Sequence, residues 1–134
     1  MHVLAEDIQD MANNATRFLL LTSPIGPRVP LPKLRTAGRP RMHTLLYLIL
    51  HDSPGALLAA LVPFDRNGMN LTFIQSRPLP GRAWDYGFFV EVDAAASTPA
   101  LRRTLKALAS QTQVCRVIGS YACFGMCEGK TRRP

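Results

Sequence analysis

The sequence predicts an α+β fold of the ferredoxin-like type, a βαββαβ chain that forms a four-stranded antiparallel sheet with two helices on one face. Two stretches carry apolar residues at helical spacing, and four have the short apolar runs or the alternation of strands. Their order along the chain is strand, helix, strand, strand, helix, strand. Right-handed crossovers then place both helices on the same side of the sheet. Many functions share this fold, so function has to be read from particular residues.

The first strand is predicted from Thr44 to Leu50, a continuous apolar run. A helix should follow, because Ser53 can cap its start and Pro54 suits its first position. Gly68 is a typical stop signal, whereas Pro63 predicts a kink or an early helix end. The apolar stripe of this helix is Leu57, Leu61 and Phe64.

Two further strands are predicted from Asn70 to Ser76 and from Trp84 to Val92. In the first of these, Leu71, Phe73 and Gln75 alternate with Thr72, Ile74 and Ser76, and in the second, Tyr86, Phe88, Val90 and Val92 share one face.

The second helix and the last strand complete the order. Thr98 and Pro99 open the helix, and the strand runs from Val114 to Tyr121. The helix buries Leu101, Leu105 and Leu108 and exposes Arg102, Arg103 and Lys106.

The chain is expected to have four segments. Residues 1–22 contain the apolar run from Phe18 to Leu21, which suits a buried strand, and residues 23–41 are rich in proline and basic residues, which is typical of a linker. The folded domain is placed at residues 42–122 and a basic tail at 123–134.

Composition narrows the function classes. The net charge of +7 is spread over the linker, the outer side of one helix and the tail, so it predicts a solvated surface rather than one nucleic-acid footprint.

Three sparse cysteines do not resemble a secreted disulfide framework, and Cys123 and Cys127 lack further soft ligands for a metal. No apolar run reaches the length of a membrane span, and the N-terminus does not resemble a signal peptide. A cytoplasmic protein without a metal or other cofactor is expected.

Two groups of motifs then resemble one enzyme family. Asn14-Ala15-Thr16-Arg17-Phe18, after Ile8-Gln9-Asp10, is similar to the Asn-x-Thr-Arg-Phe end of the prephenate dehydratase catalytic domain. Gly55-Ala56-Leu57-Leu58, Asn70-Leu71-Thr72 and Gln75-Ser76-Arg77-Pro78 resemble motifs of the ACT domain that regulates this enzyme. The resemblance implies an L-phenylalanine effector, control of phenylalanine biosynthesis, and a homodimer or higher oligomer.

The resemblance also implies roles for these residues. Thr16 would be a catalytic residue, with Arg17 and Phe18 shaping the site. This chain alone is nevertheless expected to be inactive, because one hydroxyl without the remaining catalytic domain cannot hold substrate or stabilise a transition state. The effector site is expected to use Gly55, Ala56, Leu57, Leu58, Asn70, Leu71, Gln75, Ser76, Arg77 and Pro78.

The chemistry of the residues agrees with an amino-acid effector. Gly55 allows a ligand close to the backbone, and helix N-terminal amides favour a carboxylate. Asn70 has both donor and acceptor groups for a zwitterion, and Leu57 and Ile74 could form the walls of a phenyl pocket. The family has glutamate where this chain has Gln75, which predicts weaker pairing with the ligand's ammonium group.

Two alternatives remain open. RNA-recognition domains have the same order of elements and stack bases on aromatic residues of the third strand, so Tyr86-Gly87-Phe88-Phe89-Val90 is compatible with an RNA-binding module. The other alternative is a minimal or truncated prephenate dehydratase. His51 and Asp52 are more simply the end of a strand than part of a catalytic group.

Overall fold

The computed structural model describes residue 4 and residues 16–21, 40–81 and 85–123. The chain divides into two units, Met1–Lys33 and Leu34–Pro134. In the first unit, residues 16–21 belong to no helix or strand and are exposed. The predicted buried strand from Phe18 to Leu21 is therefore wrong, since 86% of the Phe18 surface is accessible. An apolar run becomes a strand only where a neighbouring strand takes up its backbone hydrogen bonds.

The second unit has the predicted order of elements. Its strands and helices are β1 (Arg41–Leu50), α1 (Ala56–Arg66), β2 (Leu71–Pro78), β3 (Tyr86–Val92), α2 (Pro99–Leu108) and β4 (Thr112–Cys123). The strands form one sheet in the order β2-β3-β1-β4, and every neighbouring pair is antiparallel. The ferredoxin-like fold is confirmed. Residue 84, the predicted start of the third strand, lies outside the described residues.

One face of the sheet packs against both helices. Leu46 of β1 and Val90 of β3 are paired, and both are fully buried there. A hydrogen bond from the Thr104 hydroxyl to the Pro63 carbonyl oxygen (3.4 Å) joins the two helices above this core. The core residues are Leu46, Leu48, Ala60, Phe64, Val90, Val92, Leu101 and Leu108.

Helix α2 starts and packs as its sequence predicts. The Thr98 hydroxyl accepts a hydrogen bond from the Leu101 amide (3.4 Å), and Pro99 stands at the first helical position. Such a cap satisfies one of the amide groups that a helix start leaves without a backbone partner.

Helix α1 differs from its prediction at the start and in the middle. It begins at Ala56 with Gly55 as the N-cap, and Ser53 makes no side-chain cap. It also continues past Pro63 to Arg66, so an early end at the proline is wrong. The predicted stop at Gly68 is confirmed. Gly68 has a φ of 62°, and the Met69 amide donates to the Phe64 carbonyl oxygen (2.9 Å), closing a Schellman motif.

Strand β2 contains a bulge that the alternating pattern does not reveal. Leu71 pairs with Val92 of β3, but Phe73 pairs with Glu91, so that Thr72 is the extra residue. Val92 and Glu91 point to opposite faces of the sheet. Leu71 and Phe73 therefore also lie on opposite faces, which corrects the predicted alternation.

The described residues contain no helix that is long and apolar enough to cross a membrane. They also contain no group of three or more His, Cys, Asp or Glu side chains placed to hold a metal ion. Cys123 is disulfide-bonded and Cys115 is a free thiol. Cys123, the first residue of the predicted tail, belongs to β4. Cys127 and the rest of that tail lie outside the described residues, as do residues 23–39 of the predicted linker.

Candidate functional site

The connection between β1 and α1 is a tight turn that needs a glycine. The Ala56 amide donates to the Ser53 carbonyl oxygen (3.1 Å), with Pro54 and Gly55 between them. Gly55 has a φ of 78° and a ψ of 2°, the values of the third residue of a type II turn. A Cβ at Gly55 would meet no atom within 4 Å, so the turn faces open space. Gly55 is thus required by backbone conformation and leaves the backbone accessible to a ligand.

The start of α1 is suited to an anion. No side chain caps this end, and the helix has no acidic residue in its first turn. The Ala59 amide makes the first helical bond, to the Gly55 carbonyl oxygen (2.9 Å). The amides of Leu57 and Leu58 stand at the positions that a helix leaves without a backbone partner, and the helix dipole adds positive potential there. A carboxylate would be stabilised at this point.

A cavity of about 210 Å³ adjoins the same turn. Its apolar wall includes Leu57 and Phe88, and its polar groups come from the segment before Gly55 and from the start of β3. The lining residues are Ile49, Leu50, His51, Asp52, Ser53, Ala56, Leu57, Asp85, Tyr86 and Phe88. The cavity combines an apolar wall with carboxylate, hydroxyl and imidazole groups, which suits a small amphiphilic molecule.

The sheet brings the end of β2 to this site. Gly87 of β3 pairs with Ile49 of β1 on one side and with Arg77 of β2 on the other. Pro78 pairs with Tyr86, which also lines the cavity. The predicted segment Gln75–Pro78 therefore lies at the same end of the sheet as Gly55. All four of its residues are exposed, and none of them lines the cavity.

Asn70 and Leu71 lie at the opposite end of the sheet. Leu71 pairs with Val92, which in turn pairs with Thr44 near the start of β1. The seven residue steps from Leu71 to Pro78 span about 23 Å at 3.3 Å per residue. Asn70 also uses its backbone carbonyl oxygen to accept from the Asp93 amide (3.1 Å). One domain by itself thus does not bring Asn70 and Leu71 together with Gly55–Leu58.

The predicted apolar walls have different positions. Leu57 lines the cavity and is 38% exposed, whereas Leu58 is 69% exposed on the outside of α1. Ile74 belongs to β2, pairs with Val90 on the helix side and does not line the cavity. Leu57 and Ala56 are the two predicted ligand-binding residues that line it. Thr16, Arg17 and Phe18, the predicted catalytic residues, are exposed residues of the other unit.

Sequence reasoning missed several polar residues of the cavity. The sequence predicts His51 and Asp52 as the end of a strand, and it places Asp85 and Tyr86 within the strand from Trp84 to Val92 without a role in a site. The available signal for His51 and Asp52 was their position, because they are polar residues that follow a wholly apolar strand and come directly before a glycine turn. Nothing local indicates that Asp85 joins them, because only the pairing of β3 with β1 brings the two segments together.

The other face of the sheet carries a hydrogen-bonded cluster around Glu91, which is fully buried. Its carboxylate accepts from the hydroxyl groups of Thr72 (Oγ1 to Oε1, 2.5 Å) and Tyr121. Nδ1 of His43 lies 3.2 Å from Oε1. The four residues come from the four different strands, so this cluster ties the sheet together across its width. A buried carboxylate is stable only with such partners.

This face does not resemble the platform of an RNA-recognition domain. Phe89 is half-buried, and its ring packs against Tyr47 at a centroid distance of 4.9 Å. Base stacking needs exposed rings within a positive groove. Here an acidic residue, Glu91, lies at the centre of the face. The basic residues Arg102, Arg103 and Lys106 belong to α2, on the side of the helices.

Known proteins match this chain over most of its length. It is 37% identical to the bifunctional chorismate mutase/prephenate dehydratase of Aquifex aeolicus over 121 residues, which cover 90% of this chain and 31% of the relative. The prephenate dehydratase of Arthrobacter aurescens, solved in complex with L-Phe, is 32% identical with a TM-score of 0.56 over 72% of this chain and 30% of that one. The Streptococcus mutans prephenate dehydratase is 29% identical with a TM-score of 0.61, covering 74% and 51%.

The chain spans about a third of the length of the curated relatives it matches. The family model for the ACT domain matches residues 44–110, from the fourth residue of β1 to just past the end of α2. That range contains most of β1, the glycine turn, strands β2 and β3, and both helices. The chain therefore belongs to the ACT domain family.

Proposed function

We propose that this chain is the regulatory part of a prephenate dehydratase and that it binds L-phenylalanine as the feedback effector of phenylalanine biosynthesis. The observation that carries the proposal is the cavity beside the Gly55 turn, at the uncapped start of α1. Relatives named prephenate dehydratase, and one such structure in complex with L-Phe, support the choice of ligand.

Each part of a zwitterionic aromatic amino acid has a partner in this region. The carboxylate would accept from the first amides of α1, at the positive end of the helix dipole. The ammonium group would lie near the carboxylate of Asp52, an exposed residue of the cavity. The phenyl ring would pack on Leu57 and Phe88, and its burial would contribute about 1.5–3 kcal/mol.

A complete site would need two copies of the chain. The cavity, at about 210 Å³, is smaller than the roughly 300–1,000 Å³ that is usual for ligand sites. Asn70, directly before β2, and Gln75, within β2, also lie at different distances from the end of the sheet where Gly55 lies. A two-fold axis that sets two domains side by side in opposite directions would bring Asn70 of one copy towards Gly55 of the other. Strand β2 is an edge of the sheet, and edges of this kind are usually covered or paired.

Calorimetry tests the proposal directly. Titration of the purified chain with L-phenylalanine, L-tyrosine and L-tryptophan should give saturable heat that is largest for phenylalanine. Light scattering in parallel should give the mass of a homodimer or a higher oligomer. Negligible heat for all three amino acids would reject the effector function, and a monomer with and without phenylalanine would reject the shared site.

A further inference from the structure

We propose that Asp52 and Asp85 together make the cavity beside the Gly55 turn selective for an α-amino acid over the 2-oxo acid with the same side chain. The inference rests on the proposed function, because it names the group of the effector that the cavity distinguishes. A prephenate dehydratase forms phenylpyruvate, and an amino-group transfer then converts this 2-oxo acid into phenylalanine. A feedback site that responds to the amino acid has to reject the 2-oxo acid, which differs from it only at the α-carbon.

The two acidic residues come from neighbouring segments at one end of the sheet. Gly87 of β3 pairs with Ile49 of β1 in an antiparallel register, and counting on by two residues along each segment places Asp85 opposite His51. Asp52 is the next residue of the first segment. Since neighbouring strands lie about 4.8 Å apart, the two acidic residues leave the sheet side by side. Both of them line the cavity, together with His51.

Backbone hydrogen bonds fix the positions of both acidic residues. The Ser53 amide donates to the His51 carbonyl oxygen (3.0 Å), which closes a three-residue turn with Asp52 at its centre. The Leu79 amide donates to the Asp85 carbonyl oxygen (2.8 Å), which ties Asp85 to the segment that follows β2. Asp85 is half-buried, whereas Asp52 is exposed. The fold thus sets the backbone positions of both residues before a ligand binds, which reduces the entropic cost of binding.

The charges around the cavity suit the two ends of a zwitterion. The uncapped start of α1 offers amide groups and the positive end of the helix dipole to a carboxylate. Asp52 and Asp85 offer negative charge to an ammonium group, and no lysine or arginine is among the described residues that line the cavity. A zwitterion therefore finds a partner for each of its charges. A 2-oxo acid finds one only for its carboxylate.

The α-substituent is the part of the ligand that the acidic pair distinguishes. An ammonium group donates charge-assisted hydrogen bonds to carboxylates, which are stronger than hydrogen bonds between neutral groups. The α-carbonyl oxygen of a 2-oxo acid is an acceptor only, as is an ionised carboxylate, so the two cannot form a hydrogen bond. The apolar contacts with Leu57 and Phe88 are available to both compounds, and they do not contribute to the discrimination.

A series of four compounds separates these contributions on the unmodified chain. Calorimetry is carried out with L-phenylalanine, phenylpyruvate, 3-phenylpropanoate, which lacks the ammonium group, and 2-phenylethylamine, which lacks the carboxylate. We expect L-phenylalanine to bind at least about tenfold more tightly than phenylpyruvate and 3-phenylpropanoate, as for one hydrogen bond to a charged group. 2-Phenylethylamine should also bind more weakly than L-phenylalanine, because it has no group for the start of α1.

Two variants then test the acidic residues themselves. Asp52→Asn and Asp85→Asn each remove one negative charge and keep the shape of the side chain. Asp65→Asn is the matched control, because Asp65 is exposed near the other end of α1 and does not line the cavity. The affinity for L-phenylalanine should fall about tenfold in Asp85→Asn and up to about fivefold in the more exposed Asp52→Asn. Both variants should bind 3-phenylpropanoate no more weakly than the unmodified chain does.

The outcomes keep this selectivity apart from the effector function. Equal affinities for L-phenylalanine and 3-phenylpropanoate would overturn the selectivity and leave the cavity as a phenylalanine site. The same follows if both variants behave like Asp65→Asn, or if they weaken both ligands equally, as a general structural effect would. If none of the compounds binds the unmodified chain, the effector function fails and the selectivity fails with it. Where one variant does not fold, the other variant and the compound series still decide.

Discussion

The ring of Tyr47 lies directly over Gly87 on the face of the sheet away from the helices. A Cβ added at Gly87 would stand 2.6 Å from Tyr47 Cε2 and Cζ, with the hydroxyl oxygen closer still. Gly87 of β3 also pairs with Ile49 of β1 and with Arg77 of β2, at the end of the sheet where Gly55 lies. The absence of a side chain at Gly87 thus allows Tyr47 to pack across the sheet against Phe89.

Gly87→Ala should lower the free energy of unfolding by about 1–3 kcal/mol, the usual cost of inserting a methyl group into packed structure. Denaturant unfolding measures it. Tyr47→Ala in the same chain should recover part of this loss, because the clash is with the Tyr47 ring. Additive losses in the double variant would contradict this packing relationship.

The role of Gly55 in ligand binding can be separated from its role in the backbone. Gly55 and Gly68 both have a positive φ and both face open space, at opposite ends of α1. Alanine at either position should therefore cost a similar amount of stability, about 1 kcal/mol. Only Gly55→Ala should also weaken phenylalanine binding in calorimetry. Equal affinities of the two variants would remove Gly55 from the site.

Gln75 takes the position of a glutamate in the motif that this chain resembles, and its side chain is exposed on β2. Gln75→Glu should strengthen phenylalanine binding by about 0.2–1 kcal/mol, the range for exposed ion pairs, because it adds to the carboxylate of Asp52 another one that attracts the ligand's ammonium group. The gain should shrink at high salt. Gln113→Glu, an exposed glutamine on β4, is the matched control and should not change the affinity. A loss of affinity in Gln75→Glu would place the ligand's carboxylate there instead.

Burial raises the pKa of the Cys115 thiol above its ordinary value of 9.0. The folded chain therefore holds the thiol proton more tightly than the unfolded chain does. The stability that this contributes is complete below pH 9 and is lost as the pH rises from 9 towards the higher pKa of the folded state. Alkylation of Cys115 at neutral pH, followed by mass spectrometry, should be much slower in the folded chain than in denaturant. Equal rates would contradict the burial of this thiol.

Thr16 is predicted to be catalytically silent in this chain. Thr16 and Arg17 are exposed and belong to no helix or strand, and a dehydratase needs several groups held around its substrate. The purified chain should form no phenylpyruvate from prephenate in an absorbance assay. Turnover that Thr16→Ala abolishes would instead identify the chain as a minimal enzyme.

The parts of the fold that depend on local interactions could be predicted from the sequence. Thr98 and Pro99 open α2 because the cap is made to an amide only three residues away. Gly68 ends α1 because a residue with positive φ is needed there. The apolar run of β1 and the alternation of β3 likewise specify strands whose inward residues form the core. The order of elements and the ferredoxin-like fold followed from such signals.

The position of the site's residues relative to one another depended on the tertiary structure. The pairing of Gly87 with both Ile49 and Arg77 brings Gln75–Pro78 to the end of the sheet where Gly55 lies, and leaves Asn70 at the other end. The register of β2 also shifts at Thr72, whose hydroxyl donates to the buried carboxylate of Glu91, nineteen residues further along the chain. The spacing of residues along a strand predicts the face on which each side chain lies only while the pairing register is regular. Contacts between distant segments decide where the register shifts, and those contacts form only when the sheet assembles.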